Sequence, residues 1–399
     1  MKNNPIHAAS RIPLIDFIRG IGLLGILIIN IQTYSLFAFL NPEQVYALKL
    51  DEPATYAPTQ FFVHLFVKGQ FYTLFSFLFG LGSYLMWEKN TRNGLDAGRI
   101  FKRRMWILLV IGLIHGLIFW FGDVLHKYAL LGFTLPYFNR KSVPVILRWI
   151  AAMVAAVIVF QVLNIVWFVP STASGPESAA HQMIMEVIRI WQTGSPGEVA
   201  GMQWIGVLML YARSFENIMH YEIMFLAGLI AGKMNVFYRL KKLRVPLIRL
   251  SLWLFPLSLL MKAVSCLPVT GFSPTLKGFV FYEPLVFSLT SFISIPLLTI
   301  IYLIELSVLA PRLPRWLAEP IVRAGRMSLT NYLMQTVICT VLFYGFAGGL
   351  SGKLSLLQSV FIAFLIYLFQ LVCSTTWFRF FSVGPVESVF RKWIYTRQD

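Results

Sequence analysis

Of the 399 residues, 57% are apolar and only 13% are Asp, Glu, Lys or Arg, with a mean hydropathy of +0.70. A soluble globular chain carries about 25% charged residues, so this one cannot cover a water-facing surface. The balance excludes a soluble domain, a disordered chain and a disulfide scaffold, and the net charge of +17 has to be explained by where the charges sit.

A hydrocarbon core of about 30 Å needs about 20 mainly apolar residues of helix. Taken in chain order, such runs fall near 14–36, 61–87, 105–121, 124–138, 144–169, 214–233, 247–267, 284–308, 326–346 and 355–381. They predict an all-α polytopic bundle of ten spans, one integral membrane domain over 1–399. The third and fourth runs meet at a Gly122-Asp123 corner and read as a tight or partly re-entrant hairpin. No cleavable signal peptide is apparent, since the first run is too long for an h-region and contains Asp16 and Arg19.

Cytoplasmic loops carry the excess of Lys and Arg. With both termini inside, 26 of the 34 basic residues fall on the inner side and 10 of the 17 acids on the outer side. The charge therefore reads as topology and attraction to an anionic leaflet, not as a nucleic-acid footprint. The one long outer segment, 170–213, holds a stretch from Glu177 to Gln192 whose Met183, Val187, Ile190 and Trp191 recur at helical spacing. It predicts a helix on the outer membrane surface or over a cavity. Residues 382–399 read as a basic, amphipathic cytoplasmic tail. FLFGLGSYLM (77–86) and FLAGLIAGKM (225–234) agree at half their positions, as a duplication or as Gly and Leu repetition would produce.

Ionisable or strongly polar groups inside spans are costly and mark candidate sites. Asp16 and Arg19 share a helix face and pair; the pair either anchors the first helix or holds an arginine for an anionic ligand. Asn30 lies in the outer half of the same helix. His115 sits ten residues into its run, near the midplane, as a structural donor or as a general base. Asp123 reads as a helix N-cap that only a turn at Gly122 could bring to His115. Lys68 and Gln70 flank Gly69, a helix-breaking position in the second span. Arg213, Glu216, His220 and Glu222 cluster at the sixth span, more simply as a solvated helix entrance than as a site. Arg326, Thr330, Asn331 and Gln335 put four polar side chains into ten residues of the ninth, so that helix lines protein or water. Walker A, Rossmann, HExxH and CxxC patterns are absent, which leaves no warrant for ATP, a nicotinamide cofactor or a structural zinc.

LIDFIRGIGLLGILIINI, FYTLFSFLFGLG, GLIHGLIFWFGDVLHKYALLG, GRMSLTNYLMQT and GPVESVFR, in this order, resemble the YeiB family of bacterial multi-pass membrane proteins. The resemblance implies an inner-membrane protein of about ten helices. More distantly the chain is similar to transmembrane acyltransferases that include the lysosomal heparan glucosaminide N-acetyltransferase. That likeness implies acyl transfer from cytosolic acyl-CoA, as a co-substrate and not a resident cofactor, to an acceptor in the envelope. Asn30 falls where those enzymes have a functional asparagine. Positions 31 to 60 hold no histidine, so His115 or His64 would supply the base, with Arg19 and Arg326 on the donor side. Within the YeiB pattern a basic residue is frequent where Gln70 stands. The alternative the residues leave open is a transporter or exporter of a small solute.

Overall fold

The computed structural model describes residues 12–167, 179–212, 215–270 and 283–395. Among them the chain is all α, without a strand. The elements are α1 (Pro13–Tyr34), α2 (Pro42–Ala47), α3 (Pro53–Phe66), α4 (Gln70–Arg92), α5 (Ala97–Ile114), α6 (Leu125–Gly132), α7 (Leu135–Asn139) and α8 (Val143–Trp167). There follow α9 (Ala179–Thr193), α10 (Pro196–Ala212), α11 (Phe215–Lys233), α12 (Leu240–Cys266), α13 (Glu283–Leu309), α14 (Arg315–Arg326), α15 (Ser328–Phe343), α16 (Leu356–Phe380) and α17 (Pro385–Tyr395).

Among the described residues six helical stretches are long and apolar enough to cross a membrane: Pro13–Tyr34, Pro53–Arg92, Val143–Asn164, Leu240–Cys266, Leu285–Arg312 and Leu356–Phe380. They coincide with six of the ten expected spans. The other four runs fall on shorter or interrupted elements. The run at 105–121 ends in a π-helical turn, His115–Phe119, and the run at 124–138 is split into α6 and α7. The run at 214–233 carries Glu216, His220 and Glu222 on α11, and the run at 326–346 is divided at Met327 between α14 and α15. These elements are shorter or interrupted and bury polar groups against neighbours.

Lipid tails are as apolar as leucine, so close packing among such helices rests on small residues. The two similar decapeptides pack against each other: Gly80 of α4 meets the Phe225 carbonyl of α11, and Gly228 meets the Phe77 carbonyl. Gly20 of α1 faces the Ile321 carbonyl and Gly325 of α14 the Asp16 carbonyl, so a side chain at any of these positions would force the backbones apart. The apolar window of α1 is 72% buried, against 11% for that of α8 and 17% for that of α12. Helix α1 is therefore central, and α8 and α12 present Val159, Leu252 and Trp253 outward.

The expected helix in the long segment is α9; Glu177 lies outside the described residues. Its face of Val187, Ile190 and Trp191 is buried in the protein core beside Tyr344, and the Trp191 carbonyl accepts from Gly345 N–H at 2.9 Å. A second helix that the sequence reading did not resolve, α10, covers the π turn: Gln203 Oε1 accepts from Phe121 N–H at 2.8 Å. The tail forms α17, whose Glu387 accepts from the backbone N–H of Leu329 (2.9 Å) and Thr330 (3.1 Å) and from the Thr330 hydroxyl (2.6 Å). A carboxylate from α17 thus satisfies the amides that the start of α15 leaves without helical partners.

Candidate functional site

The site is built where α5 stops. Beyond Ile114 the backbone widens into the π turn, closed by Trp120 N–H donating to the His115 carbonyl at 2.9 Å; such insertions recur at functional sites. The chain then turns through Gly122, and α6 folds back on α5. Gly112 permits the close return, since a Cβ there would strike the His126 backbone.

The turn brings His115 and Asp123 together, as the Gly122 corner required. Asp123 is fully buried and accepts four hydrogen bonds: from His115 Nδ1–H (2.8 Å) and Tyr332 O–H (3.2 Å) at Oδ1, and from His126 N–H (3.0 Å) and Nδ1–H (2.7 Å) at Oδ2. Asp123 stands one residue before Val124, the N-cap of α6, and reaches the first turn through the His126 backbone N–H. A group that accepts four times is a carboxylate, and it sets the tautomer of both rings. With its proton on Nδ1, His115 offers the Nε2 lone pair to the Thr336 hydroxyl at 3.0 Å. Thr336, His115 and Asp123 are 4%, 4% and 0% exposed. The order hydroxyl, imidazole, carboxylate is the one that makes a histidine a general base.

His126, Tyr332 and Thr336 were not singled out from the sequence. His126 had a signal, three residues after Asp123 on one helix face. Thr336 and Tyr332 had none, because α15 reaches the site from 200 residues away. Both imidazoles aim Nδ1 at one carboxylate, which is a hydrogen-bond relay and not a ligand set. Among the described residues no cluster is arranged to hold a metal.

The other sequence candidates divide by depth. Asn30 accepts a short hydrogen bond from the Tyr72 hydroxyl, and no hydrogen bond from its own amide appears among the described residues. One turn on, Tyr34 stacks on Trp120 at 4.3 Å, beside the π turn. Asp16 and Arg19 form the expected pair at 3.3 Å. Arg326 donates to the Ser382 carbonyl and lies over the Phe378 ring. Asn331 donates to the Ala324 carbonyl and Ser374, and Gln335 to Gln370 and the Leu23 carbonyl, so these two clamp α1, α14, α15 and α16 together. Gln70 caps the Leu65 carbonyl at the α3–α4 break, and Lys68 approaches His64 at 3.3 Å. His220 donates to the Phe292 carbonyl, Glu216 accepts from Gln161, and Glu222 accepts from Thr134; Arg213 lies outside the described residues.

At the basic end of the bundle, Trp87, Arg99, Lys102, Arg103, Trp106 and Arg140 line an open groove of about 680 Å³. Arg103 and His115 lie on α5 and its π extension, twelve residues and about 18 Å apart along the axis.

Residues 231–397 match a family described as "Protein of unknown function (DUF418)". Along nearly its whole length the chain is similar to three curated proteins. It is 29% identical to "Uncharacterized protein YxaH" of Bacillus subtilis (strain 168), over 98% of this chain and 96% of that one. It is 27% identical to the "Uncharacterized 39.9 kDa protein in amylase 3'region" of Bacillus acidopullulyticus, over 99% and 97%. It is also 27% identical to "Uncharacterized protein YeiB" of Escherichia coli (strain K12), over 95% and 94%. The relay spans the boundary of the family match, with His115 and Asp123 before it and Tyr332 and Thr336 inside it. The chain thus carries apolar helices long enough to cross a membrane and is similar to YeiB and YxaH along nearly its whole length, with the DUF418 match confined to its C-terminal part.

Proposed function

We propose that the protein transfers an acyl group from cytosolic acyl-CoA to a hydroxyl or amine of an acceptor in the envelope of a bacterial inner membrane. The observation that carries this reading is the chain from the Thr336 hydroxyl through His115 to the Asp123 carboxylate, buried and fixed in tautomer. In the reaction the acceptor takes the place of the Thr336 hydroxyl at His115 Nε2 and gives up its proton there. Its oxygen or nitrogen attacks the thioester carbonyl, and the tetrahedral oxyanion draws on the uncommitted amide of Asn30. The carbon–sulfur bond breaks, and the departing thiolate takes the proton back from the His115 imidazolium. Asp123 stabilises that cation throughout without itself being protonated. The basic groove suits the phosphates of a CoA nucleotide, with Trp87 and Trp106 as stacking surfaces. Its distance from His115 is comparable with the reach of an extended pantetheine arm. Both termini are cytoplasmic in this arrangement, which places the groove on the CoA side. Asp16, Arg19 and Arg326 belong to the same basic end.

The test is binding of acyl-CoA to the purified chain together with mass spectrometry of envelope lipids, glycans and medium from cells with and without the gene. Acyl transfer predicts an acylated species that disappears with His115→Ala while acyl-CoA binding persists. Failure of any acyl-CoA to bind, with His115→Ala behaving as wild type, refutes it. Helix breaks at Gly69 and His115 favour a second reading, transport of a small solute through a cavity lined by interrupted helices. An unmodified solute shifted between compartments, dependent on His115, selects that reading instead.

A further inference from the structure

At the end of α4 remote from Lys89 and Arg92, the chain breaks between α3 and α4 with Gly69 at φ +97°. Three nitrogenous side chains converge on this break. Lys68 Nζ lies 3.3 Å from His64 Nε2, and Lys262 of α12 reaches in to donate to the Lys68 carbonyl at 3.1 Å. His64 and Lys262 are buried, 7% and 3% exposed, whereas Lys68 stands at the open side.

Among the described residues no carboxylate answers these charges. The charged or titratable groups that His64, Lys68 and Lys262 meet are one another, the Cys266 thiol and, for Lys262, His220. The last carbonyls of α3 supply a partial negative charge of about −0.5, and Gln70 already takes the Leu65 carbonyl. The start of α4 supplies the opposite partial charge to the same break, and the Phe66 carbonyl is already taken by the Tyr302 hydroxyl at 2.9 Å. The one carbonyl bonded to Lys262 uses one of its three N–H groups. Taking the Lys262 ammonium out of water without a counter-charge is strongly unfavourable, and an anion entering beside the exposed Lys68 would supply the charge that favours the ammonium form of both lysines.

We infer that the α3–α4 break is a binding site for a phosphate group, held by Lys68 and Lys262 beside His64 and entering past Lys68. Two ammonium groups match a phosphate charge of about −1 to −2, and the flexible lysine stems suit a point-charge contact. The phosphate comes either from a lipid headgroup of the adjoining leaflet or from a soluble molecule. The inference does not depend on acyl transfer, and its readout is binding alone.

The full chain is purified in a nonionic detergent, and unfolding is followed by intrinsic tryptophan fluorescence. Inorganic phosphate is titrated against chloride at equal ionic strength. In parallel the protein is placed in phosphatidylcholine nanodiscs with and without phosphatidylglycerol. One probe is expected to raise the Tm by about 4 °C at saturation. That shift disappears in Lys68→Met and Lys262→Met and persists in Lys262→Arg. Without the anion, Lys262→Met is at least as stable as wild type, since it removes a buried charge. A response to inorganic phosphate assigns a soluble ligand, and a response to phosphatidylglycerol alone assigns a lipid. No shift with either probe overturns the inference, as do equal shifts in wild type and both methionine variants. Should Lys262→Met fail to fold, Lys68→Met, altered only at the exposed lysine, carries the comparison.

Discussion

The sharpest test of the candidate site is Asp123→Asn compared with Asp123→Ala. Asp123 is 0% exposed and accepts from His115, Tyr332 and twice from His126. In the asparagine variant the amide oxygen has to stay with His126, because a backbone N–H cannot reverse. The new NH2 therefore faces His115 and Tyr332. Tyr332 can rotate its hydroxyl to accept, and His115 must move its proton to Nε2, after which Thr336 accepts instead of donating. Every contact then has a partner, but charge-assisted bonds worth about 1.5–3 kcal/mol become neutral ones worth about 0.5–1.5 kcal/mol. Removing the buried charge also relieves its desolvation cost, which offsets part of that difference, and the expected net loss is about 2–3 kcal/mol. Alanine leaves four buried donors without an acceptor and is expected to cost about 4–5 kcal/mol. Reversible unfolding in mixed micelles measures both. If the alanine variant is no less stable than the asparagine variant, or lies within about 1 kcal/mol of wild type, Asp123 is not the shared acceptor of the two histidines. Asparagine also removes the Nε2 lone pair, so any His115-dependent activity should fall by about two orders of magnitude or more while the protein stays folded.

Gly112→Ala should destabilise by about 1–3 kcal/mol, as overpacking does, because its Cβ meets the His126 backbone; Leu113→Ala, at an exposed neighbour, serves as the control in the same unfolding assay, and equal effects would refute the close approach. Glu387→Ala should cost about 1–2 kcal/mol and release α17 to protease at Arg391 and Lys392 before the bundle unfolds. Between α9 and α10, Arg189 holds Glu186 and Glu198 at 2.7 and 2.9 Å. The Ser195 backbone N–H, then Arg189, push the Glu198 carboxyl down to about 2. A depressed carboxyl contributes above its unfolded value of about 4.3 and is lost as pH falls through the folded one. Hydrogen exchange at residues 194–199 should therefore stay protected at pH 4 and accelerate near pH 2, whereas Glu198→Gln should exchange fast at both.

The membrane class, the helical architecture and the Asp16–Arg19 pair were legible from composition and spacing, because a bilayer demands apolar runs of a set length and a helix pairs residues three or four apart. His115 and Asp123 could be named for the same reason, as charge within apolar runs. What they do together could not. The π turn, the reversal at Gly122 and the arrival of Thr336 and Tyr332 on α15 join residues more than 200 positions apart. Local periodicity carries no record of which helix faces stack, or of which glycine lets α6 return onto α5. Where the helices begin and break was likewise not legible in the apolar runs. A run such as 124–138 is apolar enough to suggest a span, yet it is spent as two short helices packed within the protein. The unanswered positive charge at the α3–α4 break arises the same way: Lys262 is nearly 200 residues from Lys68, and only packing of α12 against α3 makes their charges a single problem.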